Sequence, residues 1–429
     1  MSDRESADLL IEPRWLLPMT PAHGVLAGQA VAVDAGRIVA LGPAAELRLR
    51  FAARETVLRP RHVLLPGLVN ASVHAAHSLW RGLLARAPGA AGPLAALAAR
   101  SASADFVRDG TRLAMAEMLR AGITCFADLS PHPEEAARMA AAAQMRAAIG
   151  LPVTEIASPW AENATAYFAR AERLWDEYRS DSRISLYFAP LAAHLLSDAT
   201  LTRIRRVADE LEARVALDVC GAELHAPADQ VRDGSARDLM ARLDALGLLR
   251  PGFTAIGLAA ADLETVARQG ASSVACPRAD LSCGRFPFIA RLPGARSGLG
   301  TASPARTGVP DVLAEARLAA LAAGLGAAEA LRMATLGGAT ALGLQAVCGS
   351  LETGKAADLA CIDVGTLECR AAQSIEDAVL HGATRAQVSD VWTGGRCAVS
   401  EGRLLAFDEE EIAALPARWA QRLKLEDAA

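Results

Sequence analysis

The run Leu64-Leu65-Pro66-Gly67-Leu68-Val69-Asn70-Ala71-Ser72-Val73-His74-Ala75-Ala76-His77-Ser78-Leu79-Trp80-Arg81-Gly82 separates two kinds of pattern in the chain. It is an apolar strand ending in a turn. Side chains two apart on a strand share a face, so Ser72 and His74 are presented together. Before it, residues 8–58 alternate short apolar runs with Gly and Pro, and Asp34-Ala35-Gly36 reads as a hairpin turn in which Gly supplies the positive φ. This is β-sheet material of the sandwich type.

From residue 62 the rhythm becomes strand then helix. Eight short apolar runs with little alternation, as expected of strands covered on both faces, fall at 63–70, 123–129, 146–153, 184–190, 215–220, 253–258, 272–276 and 297–301. Ser103 is placed to cap a helix carrying Val107, Ala114, Met115 and Met118 on one stripe, closed by Gly122. Ser197 or Asp198 is placed to cap another, with Leu201, Ile204, Ala208 and Leu211 on one face. Residues 83–104 are rich in Ala, Gly and Pro and give a poor helix pattern. Near 345 the sheet rhythm returns, and a last helix is expected from about 408 to 424. The predicted fold class is α/β: a (β/α)8 TIM barrel, a fold of roughly 250 residues or more, with a composite β-sandwich formed by the N- and C-terminal segments. The predicted divisions are 1–61 plus 345–407 for the sandwich, 62–344 for the barrel, and 408–429 for a helix and tail.

Composition narrows the function classes. Apolar residues make up 52% of the 429 and aromatics only 4%, so the core is built mainly from Ala, Leu and Val. The net charge of −5 and the scatter of Arg along the chain argue against a nucleic-acid surface. The polar start Met1-Ser2-Asp3-Arg4-Glu5 is no signal peptide, and no long apolar run escapes charge or Pro, so a cytoplasmic protein without a membrane span is expected. The eight cysteines form no CxxC pair and read as reduced thiols.

The chain resembles the amidohydrolase superfamily, in its cytosolic deaminase and chlorohydrolase-like branch, which includes methylthioadenosine/adenosylhomocysteine deaminases and triazine hydrolases. The resemblance rests on Pro66-Gly67-Leu68-Val69-Asn70 with Arg81-Gly82, and on the run from Ala116 to Thr124. It continues in Ala189-Pro190, Ser197-Asp198 and Gly349-Ser350-Leu351-Glu352-Thr353-Gly354-Lys355 with the residues through Ala360. It implies a divalent metal, zinc or iron, that makes hydroxide from bound water near neutral pH. It also implies ligands at the ends of strands one, five, six and eight.

At those positions this sequence departs from the family pattern. His-x-His on strand one falls on Ser72-Val73-His74. The strand-five ligand histidine falls on Asp218, with Cys220-Gly221 where a His-Glu pair is expected. Leu258 stands at the strand-six histidine, and Ala302 at the acid that follows Gly-Thr on strand eight. His74 and Asp218 leave two ligands, one short of the three typical of catalytic zinc. Leu191 follows Ala189-Pro190, where family members often have His. The resulting expectation is a pseudoenzyme that has lost its metal, with no cofactor. It would bind a small molecule or partner an active paralogue, as a homo-oligomer by family analogy. His74, His77, His194, Asp218, Leu258 and Ala302 would line its pocket.

The alternative is a hydrolase of non-peptide C–N bonds, deaminase-like toward aminated purines, pterins or triazines. It would use a rebuilt or metal-independent site around Ser72, His74, Asp218 and Cys220. His23, His62, His132, His225 and His381 read as ordinary loop or surface residues, and Cys276 and Cys283 as core or loop thiols.

Overall fold

In the computed structural model, residues 4–423 are described except 21, 23, 83–102 and 220–238. The chain begins with β1 (Glu5–Leu16), β2 (Leu26–Ala27), β3 (Gln29–Asp34), β4 (Arg37–Pro43) and β5 (Phe51–Pro66). There follow β6 (Leu68–Val73), β7 (Ile123–Asp128), β8 (Arg146–Val153), β9 (Ile184–Pro190), β10 (Arg214–Asp218), β11 (Phe253–Ile256), β12 (Ser272–Ala275) and β13 (Ser297–Leu299). The last strands are β14 (Leu359–Asp363), β15 (Val388–Thr393), β16 (Arg396–Ser400) and β17 (Arg403–Leu404).

The first five and last four strands hydrogen-bond into one sheet, in the order β17-β16-β15-β14-β5-β1-β3-β4, with β2 beside β1. The two ends of the chain therefore build one unit, joined where β14 pairs antiparallel with β5. Alternate residues serve opposite faces: Leu9, Ile11, Val31 and Val33 pack in one apolar cluster, Leu10, Ala30 and Ala32 in another. Ala35 (φ 48°) and Gly36 (φ 76°) close the β3–β4 hairpin, the two positive φ values that a tight hairpin turn requires.

The eight strands β6 to β13 lie side by side in chain order, all parallel. The barrel closes through Val73 and Ala302, which form a parallel bridge. One expectation changes here. Residues 63–66 end the 16-residue sheet strand β5, and the barrel's first strand is β6 at 68–73. Only Pro66-Gly67 punctuates the apolar run, and hydrophobicity alone cannot say which sheet claims each half. The Gly67 N–H bonds to the Asp358 carbonyl at 2.9 Å, which pins the switch point.

The expected caps are present. Ser103 Oγ accepts the Phe106 N–H at the start of the Ala104–Arg120 helix, and Ser197 Oγ accepts that of Thr200 at the start of Asp198–Glu210. The poor helix pattern of 83–104 falls almost wholly outside the described residues. Phe126, Ile149, Phe188, Val215 and Phe253 point outward into the layer between strands and helices. Small residues such as Ala71, Cys125, Ala127, Ala148 and Ala189 line the inside, with the larger Tyr187 among them. No helix among the described residues is long and apolar enough to cross a membrane.

Candidate functional site at the barrel mouth

Barrel enzymes carry their chemistry at the C-terminal ends of the strands, and β6 delivers its residues there by an irregularity. Its register with β7 passes from Asn70↔Phe126 to Val73↔Asp128, three residues against two. A bulge of this kind switches side-chain parity. Val69 and Ala71 belong to the inner cluster and Val73 to the outer one, which leaves Ser72 and His74 on the inner side, both half-buried.

The seam of the barrel is built from the same residues. The Ser72 carbonyl accepts the N–H groups of Thr301 (2.9 Å) and Ala302 (3.0 Å), and the His74 N–H donates to the Ala302 carbonyl (3.2 Å). Fully buried Asn70 locks the join. Its Oδ1 accepts the Thr301 N–H at 3.0 Å and its Nδ2 donates to Thr301 Oγ1 at 2.8 Å. Ala302 is held at φ 51°, a left-handed conformation that costs a residue with a Cβ.

His74 Nδ1 lies 3.0 Å from the Leu129 carbonyl. A carbonyl only accepts, so Nδ1 carries the proton and Nε2 is the basic nitrogen of the neutral ring. Burial pushes the His74 pKa below its ordinary value, against the backbone hydrogen bond, which keeps the ring neutral at pH 7. Residues 75–80 form a 3-10 helix, in which side chains three apart eclipse. His74, His77 and Trp80 accordingly stack, with ring centres 5.1 and 4.6 Å apart. Phe106 (5.0 Å) and then Trp419 of the last helix (5.1 Å, edge-on) continue the column. His77 Nδ1 is 2.9 Å from Ser303 Oγ, which ties the column to the loop after β13.

Beneath the column lies Asp128, the last residue of β7 and wholly buried. It accepts the Ala75 N–H (2.7 Å) and the Ser130 hydroxyl (2.6 Å). Burial nevertheless pushes its carboxyl up to about 6.

Asp218 ends β10 on the inner face with Ala216, half-buried, while Cys220 lies outside the described residues. His194 sits in the turn after β9; its Nε2 is buried without a hydrogen-bond partner, and burial lowers its pKa. Leu258 is buried in the outer apolar layer, and Ala302 is half-buried at the seam. The Ser72 hydroxyl makes no hydrogen bond to His74, so the two do not form a nucleophile–base pair in this structure. Sequence reasoning missed Asp128, Ser130 and Ser303. The signal available for the column was the spacing of three in His74, His77 and Trp80.

The model of the "Amidohydrolase family" matches residues 63–397, and that of the "Imidazolonepropionase-like composite domain, bacteria" matches residues 30–53. The chain belongs to the amidohydrolase family. It is 32% identical over 444 residues to a 5-methylthioadenosine/S-adenosylhomocysteine deaminase of Teredinibacter turnerae, covering 99% of each chain. The deaminase of the same name from Saccharophagus degradans is also 32% identical, over 450 residues, covering 100% of this chain and 99% of that one. Among solved structures, a zinc-bound adenosine deaminase from Xanthomonas campestris superposes with a TM-score of 0.89 at 35% identity, over 99% of this chain and 100% of that one.

These findings correct two expectations. The pseudoenzyme reading is overturned by full-length relatives named as deaminases. The expectation of no cofactor is overturned by the zinc bound in the similar adenosine deaminase structure. Both expectations rested on the replacements at single strand ends, at Ser72, Asp218, Leu258 and Ala302, set against scaffold motifs that remain. Whether the side chains fit such an ion is a separate matter. Among the described residues, no three His, Cys, Asp or Glu side chains are grouped to hold a metal ion. His74 and Asp218 alone fall short of a three-donor site.

Proposed function

We propose that the chain is a hydrolase of C–N bonds other than peptide bonds, a deaminase of adenosine-type nucleosides such as 5-methylthioadenosine or S-adenosylhomocysteine. The observation that carries this reading is the match to named deaminases at 32% identity over 99% of both chains. In hydrolytic deamination water adds to the ring carbon bearing the amino group, the C–N bond breaks, ammonia leaves and the ring keeps the oxygen. A group at the mouth must take a proton from the water and return it to the leaving nitrogen. His74 supplies that group, because its protonated Nδ1 is committed to the Leu129 carbonyl and Nε2 is basic. Ser72 and Asp218 offer polar contacts on the same inner rim, and Cys220 follows Asp218 in the sequence.

The test is ammonia release by the full chain from adenosine, 5-methylthioadenosine and S-adenosylhomocysteine, with zinc supplied. Turnover is expected, and His74→Ala should lower kcat by about 100-fold or more, the usual worth of a positioned acid–base group. The acid limb of kcat/KM should fall below pH 6.5, the ordinary value from which burial lowers the imidazole. No ammonia from any of the three nucleosides overturns the reading.

A further inference from the structure

The barrel has a second feature at the end opposite the mouth. There the strands begin around a cavity of about 320 Å3, at the low end of the range of about 300–1,000 Å3 for small-molecule pockets. Arg214, the first residue of β10, shares the inner face with Ala216 and Asp218 and turns its guanidinium into this space. Its Nη2 donates to the Ala341 carbonyl at 3.0 Å and approaches Thr254 Oγ1 at 3.4 Å. Its Nε is buried and has no acceptor. Two other arginines of the barrel, by contrast, are matched with acids, Arg146 with Asp358 and Arg278 with Glu315. Among the described residues no carboxylate pairs with Arg214.

A buried cation without a counter-charge is costly, by several kcal/mol in real proteins. Burial lowers the Arg214 pKa to about 10, which leaves the group charged at neutral pH. Arg179 adds a second cation to the wall, and the acid of the lining, Glu212, is exposed at the rim. Trp175, Leu186, Leu342 and Leu344 make much of the rest apolar. A guanidinium fork matches a carboxylate better than a point charge does.

We propose that this cavity is a binding site for a small carboxylate with an apolar body, its carboxylate on Arg214 and its body against Trp175 and Leu342. The site is separate from the mouth, since Arg214 and Asp218 stand at opposite ends of β10.

Benzoate is the probe, titrated calorimetrically into the full chain beside benzamide, its neutral counterpart, and inorganic phosphate. Saturable benzoate binding is expected, at least tenfold tighter than benzamide and at least tenfold weakened in Arg214→Met; His74→Ala, altered at the mouth, should bind benzoate as the native chain does. Benzoate should also change Trp175 fluorescence, a signal that Trp175→Phe removes while calorimetric binding persists. That measurement stands even where Arg214→Met fails to fold. Three results overturn the site: no benzoate binding up to its solubility limit, equal binding of benzamide, or unchanged binding in a folded Arg214→Met. Phosphate binding in place of benzoate overturns the apolar carboxylate in favour of a bare anion.

Discussion

Asp128 shows what one buried charge costs beside the mouth. Three hydrogen bonds, from the Ser130 hydroxyl and the backbone of Ala75 and Leu129, favour its ionised form, yet desolvation outweighs them and the carboxyl rises from 3.8 to about 6. A carboxyl whose folded-state pKa is raised contributes stability that is full below its unfolded pKa and lost as the pH climbs through the folded one. Two pH units are worth about 3 kcal/mol. Asp128→Asn keeps an acceptor for the Ala75 N–H and carries no charge. Its stability relative to the native chain should therefore rise between about pH 4 and 6 and level off above about 7. Urea midpoints across that range check it, and parallel curves for the two proteins would remove the buried carboxylate as the cause. At this scale the sequence was legible where spacing sets geometry. Ser72 and His74 do share a side, because a period of two puts them there. Asp128 was not legible, because an aspartate at a strand end reads as solvated until the 3-10 turn that covers it is seen.

Among the elements, β6 and β13 carry the most constraint, because their seam and the mouth are the same few residues. A Cβ built on Gly300 would lie 2.7 Å from Ser72 Cβ and 2.8 Å from its backbone N and O, atoms that cannot swing aside. Gly300→Ala should therefore destabilise the fold by about 1–3 kcal/mol, the usual cost of overpacking, and lower activity at the mouth as well. Asn70→Ala leaves the buried Thr301 hydroxyl without its partner, while the Thr301 N–H keeps the Ser72 carbonyl. At about 1–3 kcal/mol for one orphaned group it should cost about that much. Thermal melts with ammonia release measured on each variant check both, and a native-like Gly300→Ala would mean that the seam is looser than these contacts. Strand positions along the barrel were readable from short apolar runs, within a few residues for β7 to β13. The bulge in β6 and the left-handed turn at Ala302 were not, since both arise when the last strand must meet the first. That closure is a long-range event with no local signature.

Over the whole molecule, sheet and barrel are joined through Asp358. Its side chain accepts from Arg146 Nε (2.8 Å) on the barrel strand β8 and from the Gly394 N–H (2.7 Å) in the sheet, while its carbonyl takes the Gly67 N–H between the two. Both side chains are buried, and against the effect of burial Asp358 holds the Arg146 guanidinium above its ordinary range. The composite of the two chain ends was legible from sheet rhythm returning near 345, but this joint was not, because its partners stand 212 residues apart. Removing one member of such a pair strands the other, at about 3–5 kcal/mol. Arg146→Met should therefore be severe alone. In the double variant with Asp358→Asn the loss should fall well short of the sum, since the second change removes the stranded charge. The cycle is read from urea midpoints followed by tryptophan fluorescence, with Trp392 reporting the sheet and Trp80 the barrel. In the native chain the two signals should move together. In Arg146→Met the sheet signal should part from the barrel signal, because the joint that transmits one unit's unfolding to the other has lost its cation. Additive single losses, or signals that stay coincident in Arg146→Met, would place the coupling elsewhere along the β5–β14 pairing.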